Sequence, residues 1–271
     1  MPIITAFIKK LENRIVSISK RLRFVIATFL LSFLLLFSTF YNFDKVLLFV
    51  PVLLVATYIL SYFSILEGIK KAERVMLFIT PIFFTLSFYL FYFLFPMRWL
   101  TRLPFFIIYA ISLYAILLSS NIFNVGIQKG LQLFRAAFSI NFFYQVLIIF
   151  LILNVFFSFK TSYFFNTIVV FLFIFPLSLQ FLWSVKPKIH LERQIVLFAI
   201  FTSLLLAELI LVFSFVPIKT SIFALFIATC YYSLSGLIYS YLDERLFKET
   251  VREYLIVLGF VFVVVALSIS W

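Results

Sequence analysis

The chain has one cysteine, one histidine and five glycines among 271 residues, and only 12% of its positions carry charge. A lone cysteine excludes a disulfide framework and any multi-cysteine zinc cluster. A lone histidine, His190, excludes a two-histidine metal site within the chain. Phosphate-cradling glycine loops, the zinc-protease HExxH signature and the nucleophile elbow are all missing. No metal or other cofactor is expected, and no catalytic residue is assigned. Soluble domains carry charge on roughly 25% of positions and are roughly 45–50% apolar. This chain is 65% apolar and 22% aromatic, more than one soluble core could hide. Disorder is excluded by the same hydrophobicity, and secretion as a soluble protein by the repeated long apolar runs.

What is present is a succession of such runs. A helix needs about 20 apolar residues to cross a ~30 Å hydrocarbon layer. Nine runs of that kind, each bounded by charge or a turn, occupy 24–41, 46–66, 75–95, 103–120, 136–159, 164–185, 195–216, 221–242 and 254–270. They lack the alternation of short segments that marks a β-barrel. Backbone groups in hydrocarbon must pair within their own segment, so the expected fold is all-α, a polytopic helical bundle. Short links make sequential helices antiparallel neighbours, which gives up-and-down topology. Residues 24–271 are therefore expected to form a single transmembrane bundle.

Residues 1–23 differ. Ile4, Ile8, Leu11, Ile15, Ile18 and Leu22 recur at steps of four and three, while Lys9, Lys10, Glu12, Arg14, Lys20 and Arg21 occupy the rest of the surface. This is the pattern of an amphipathic helix lying on the cytoplasmic membrane surface, drawn to anionic headgroups. It anchors the first span or docks a partner.

Lys and Arg also set the expected orientation. With the N-terminus inside, seventeen of the 22 basic residues fall in cytoplasmic segments, and Lys45, Arg98, Arg102, Lys160 and Lys219 fall outside. That asymmetry in short loops is the positive-inside signal. Nine spans then leave Trp271 external. The net charge of +12 sits at helix ends, where it meets the bilayer. The loops are too short for the contiguous basic surface that nucleic acid needs, so no nucleic-acid partner is expected. The expected partners are the lipid bilayer, its anionic cytoplasmic headgroups, and another membrane protein or a second copy.

Within the spans, Pro51, Pro81 and Pro176 are expected to bend or break their helices. Scarce glycine predicts contacts made by bulky Phe and Leu rather than by small residues. Glu208 is the one acidic residue well inside a span, toward the outer half of the seventh. An ionised carboxylate there costs a few kcal/mol on insertion scales, so it must be protonated, hydrogen-bonded or in contact with water. Thr229, Cys230 and Tyr231 of the next span share its depth at ~1.5 Å per residue. Tyr231 or Tyr232 is the expected partner, with Asn154 an alternative if the fifth span is near. Gln145, Asn154, Asn166 and Gln180 are the other intramembrane polar residues singled out, with Gln145 and Gln180 both in the inner half; such amides usually join helices. The densest charge, in 243–253, is expected to extend a helix on which Glu244–Lys248 and Arg245–Glu249 pair. Its alternative is a site for a phosphate-bearing headgroup or a metal, made by Asp243, Glu244 and Arg245.

The stretches Leu206–Glu208, Phe215–Pro217, Tyr231–Tyr232, Gly236–Leu237 and Arg252–Leu255 resemble a pattern in uncharacterised bacterial multi-span membrane proteins. The resemblance covers the last third of the chain. It implies a bacterial inner-membrane location and carries no activity. Three functional classes follow from the residues. The first is a non-enzymatic membrane scaffold or complex subunit. The second is a transporter or channel with a polar site around Glu208, and the third a lipid- or polyprenyl-linked enzyme using Asp243, Glu244 and Arg245.

Overall fold

A computed structural model describes residues 19–40, 46–65, 73–95, 99–125, 130–185, 187 and 191–269. Nine helices long and apolar enough to cross a membrane occur among them. In chain order they are α1 (Lys20–Ser38), α2 (Val46–Ile65), α3 (Glu73–Tyr92), α4 (Trp99–Val125), α5 (Leu131–Ser158), α6 (Tyr163–Trp183), α7 (Arg193–Phe213), α8 (Thr220–Leu242) and α9 (Lys248–Ser268). No strand occurs among the described residues. The chain is an all-helical, multi-pass integral membrane protein. The expected amphipathic surface helix lies, up to residue 18, outside the described residues; from Lys20 onward the chain is already α1. Helices α4 and α5, of 27 and 28 residues, overrun their apolar stretches into the polar flanks.

The chain divides into two compact units, residues 1–140 and 141–271. In the first, α1 packs on α2 and α4, and α3 packs on the same two helices, which closes a four-helix ring. Its core holds Ala27, Leu31 and Leu35 of α1, Leu53 of α2, Phe84 and Phe88 of α3, and Tyr109 and Leu113 of α4. Phe84 stacks on Tyr109 with ring centroids 5.7 Å apart, and the Tyr109 hydroxyl lies 3.0 Å from Thr85 Oγ1. Toward one end, Arg102 Nε donates to the Tyr92 hydroxyl at 3.0 Å, and its guanidinium sits 4.9 Å over the Phe40 ring. In the second unit α6 packs on α7, α8 on α9, and α8 also touches α6 and α7. The part of α5 from Asn141 onward joins through ring contacts of Phe142 with Phe181, Phe156 with Phe173 and Phe157 with Phe223.

Helices α2, α3 and α6 continue on both sides of Pro51, Pro81 and Pro176, so of the expected bend or break none is a break. A membrane helix loses one bond of its ladder at proline and keeps the rest paired. The helix contacts also do not rest on Phe and Leu alone. Thr28, Ser32, Thr57, Ser61, Thr202 and Ser203 face inward and are buried. Several of these hydroxyls bond back to a carbonyl one turn earlier, as Thr28 does to Phe24 at 2.8 Å, Thr57 to Leu53 at 2.7 Å and Ser203 to Ala199 at 2.9 Å. Satisfied in this way, Ser and Thr serve as the small contact residues that glycine usually supplies in membranes. One glycine does act at a close approach: the Tyr254 ring of α9 lies directly over Gly236 of α8, leaving no room for a side chain there.

Candidate functional site

The second unit holds a buried polar cluster drawn from three helices. Asn141 and Gln145 stand four residues apart on α5 and therefore share a face. Gln180 comes from α6 and Tyr231 from α8, and all four are buried. Gln180 Oε1 accepts from Asn141 Nδ2 at 3.2 Å and from Gln145 Nε2. Gln145 Oε1 in turn accepts from the Tyr231 hydroxyl at 2.6 Å. Gln180 Nε2 finds no partner among the described residues. One wall of the cluster is aromatic. Phe142 stacks between Phe181, at 4.5 Å, and Tyr232, at 5.1 Å, and Tyr232 leans on Tyr254. Interhelical amide and hydroxyl bonds of this kind join three helices in one register.

Glu208 is not in this cluster. It lies on the exposed side of α7, between the exposed Leu204 and Val212, and has no hydrogen-bond or ion-pair partner among the described residues. The inward side of the same helix is Thr202, Ser203, Leu206, Ala207 and Ile210. Tyr231, matched to Glu208 in depth, instead bonds to Gln145, and Tyr232 enters the aromatic stack. Asn154 is buried but turns back on its own helix, donating to the Phe150 carbonyl at 2.7 Å. The structure brings Gln145 and Gln180 together, and separates Glu208 from Tyr231. Asn141 was missed in the sequence. Its signal was its position one helical turn before Gln145.

Of the charged segment expected to extend a helix, residues 248–253 do so as the first turns of α9, and residues 243–247 do not. Helix α8 ends at Leu242, and Glu244 has φ 58°, in the left-handed region. The Arg245 amide donates to the Ser240 carbonyl at 2.8 Å, and the Glu244 amide to the Tyr241 carbonyl at 3.2 Å. These two bonds make a Schellman cap, which stops the helix at its left-handed residue. Helix α9 begins anew at Lys248, so Glu244 and Lys248 do not share a helix face. Arg245 Nε pairs with Asp243 Oδ2 at 3.3 Å. Glu244 lines a cavity of about 330 Å³ with Glu192, Gln194, Tyr241, Leu242, Leu182, Val185 and Ile195. A second cavity of about 290 Å³ lies at the opposite end of the unit, among Tyr163, Asn166, Phe213, Ser214, Thr220 and Phe223. No group of three or more His, Cys, Asp or Glu converges on a metal position among the described residues. His190 lies outside them.

No curated protein and no solved structure matches the chain. Residues 132–268, just over half of it, match one family model. That stretch runs from the start of α5 to the end of α9 and takes in the amide cluster, Glu208 and the Schellman cap alike. The chain belongs to the family DUF5656, proteins of unknown function.

Proposed function

We propose that this protein is a non-enzymatic component of a membrane complex, a scaffold or subunit, whose exposed α7 face is covered by another membrane helix. The observation that carries this reading is Glu208. A carboxyl group facing hydrocarbon in the outer half of the membrane is expensive even when protonated, because its hydrogen-bonding groups go unmet. Helix α7 places it about 7.5 Å from the helix's outer end, at ~1.5 Å per residue, too deep for a short side chain to reach the headgroups. A protein contact at this face supplies the missing partner. The transporter reading needed Glu208 to look into a wet interior, and its outward position favours the subunit reading. The asymmetry of Lys and Arg supports an orientation with the start of α1 on the cytoplasmic side, and the resemblance to bacterial multi-span proteins supports the bacterial cytoplasmic membrane as its location.

The test is photolabelling with an apolar carbene precursor that partitions into the bilayer. In native membranes the α7 peptide around Glu208 is expected to be labelled much less than α9, whose Phe260, Val263 and Leu267 are exposed. After dispersal to single chains in detergent the two should label alike. Equal labelling of α7 and α9 in native membranes would overturn the reading.

A further inference from the structure

Building on that reading, we infer that the helix covering α7 is α7 of a second copy, packed in parallel about a two-fold axis along the membrane normal beside Glu208. Three observations carry this. The first is the spacing of the exposed face. Leu197, Phe201, Leu204 and Glu208 recur at steps of four, three and four, all exposed. This is the 3.5-residue repeat with which two helices stay in contact along their length at a shallow crossing angle. The second is that Glu208 is the one polar residue in this stripe, at its outer end. A single polar residue at a seam position fixes register and partner number, because a shifted pairing leaves it unmet.

The third observation concerns what can meet it. No Lys or Arg of this chain falls within the spans at the depth of Glu208. Two copies inserted in the same orientation place their Glu208 residues at the same depth, and a two-fold axis sets each residue opposite its own counterpart. A protonated carboxyl has one O–H to donate and a carbonyl oxygen to accept, so two such groups satisfy each other reciprocally. No other side chain or ion is required.

The experiment keeps Glu208 and places a cysteine one turn away. Leu204→Cys in a Cys230→Ser chain, treated with a mild oxidant in native membranes, is expected to give a disulfide-linked species of twice the chain mass. Val263→Cys on the exposed side of α9, in the same background, should give little. Adding Glu208→Gln, whose amide also donates and accepts, should preserve the cross-link, and Glu208→Leu should reduce it at least fivefold. Subunit counting by stepwise photobleaching of the native chain should then report two copies. A count of one, with the α7 peptide still protected in native membranes, would mean that a different molecule covers the face; the self-pairing would fall and the subunit reading would stand. An α7 peptide labelled as freely as α9 would remove both. A Glu208→Leu chain that cross-links as well as the parent would overturn the carboxyl pairing. Because Glu208 faces outward, replacing it leaves the core of the unit intact, and recovery of the folded Glu208→Leu chain in detergent checks this.

Discussion

Tyr231 shows how much a single hydroxyl does in a lipid-surrounded core. It is fully buried and donates at 2.6 Å to Gln145 Oε1, while the other end of that amide is held by Gln180 Oε1. Tyr231→Phe removes the donor and leaves the Gln145 oxygen without it. Interhelical bonds in membranes contribute about 0.6–2 kcal/mol, and a loss in that range is expected in reversible unfolding in mixed micelles. Gln145→Leu alone should cost more, since it leaves the Tyr231 hydroxyl unmet and also removes one of the donors gathered by Gln180. The double substitution should fall short of the sum, because both changes break the same bond. Strict additivity would show that the hydroxyl and the amide do not depend on each other.

Helix ends, rather than helix middles, separate what the sequence makes legible from what it hides. The left-handed C′ position of a Schellman cap is usually glycine, and a residue with a Cβ there costs roughly 1 kcal/mol or more. Glu244 occupies it, with φ 58°. Glu244→Gly is therefore expected to raise stability by about 1 kcal/mol, read as a higher midpoint in thermal unfolding. A fall would mean that the carboxylate makes a contact beside Glu192 worth more than the strain it imposes. From sequence the segment 243–253 read as one helix, since its i,i+4 charge pairs fit helical spacing and no glycine or proline marks a stop. The spans themselves were legible because hydrocarbon thickness fixes their length, whatever the tertiary contacts. Depth was legible for the same reason, which is why Gln145 and Gln180 were placed in one half of the membrane. Rotation about the helix axis was not. A span apolar on every side carries little periodic signal to show which face turns inward. Tyr231 and Glu208 thus share a depth and face different ways.

At the scale of the whole chain, the family match begins at residue 132 and the second compact unit at 141. The part that defines the family is thus nearly the part that contains the amide cluster and the exposed Glu208. The first unit, 1–140, closes its own ring of four helices and contributes most of the chain's basic residues. Six basic residues precede or open α1, Lys70 and Lys71 lie between α2 and α3, and Arg74 opens α3. If these set the orientation, the links should alternate strictly between the two faces. Alkaline phosphatase, active only outside the cytoplasmic membrane, is expected to be active when fused after Thr161 or Ile218 and inactive after Gly130 or Leu191. A fluorescent protein that matures only in the cytoplasm should give the opposite pattern at the same four positions. Replacing Lys70, Lys71 and Arg74 with neutral residues should lower the contrast between faces without inverting it, because the larger N-terminal cluster still holds α1 in place. Complete inversion would mean that these three charges set the topology. Phosphatase activity at both 161 and 191 would show that α6 does not cross the membrane.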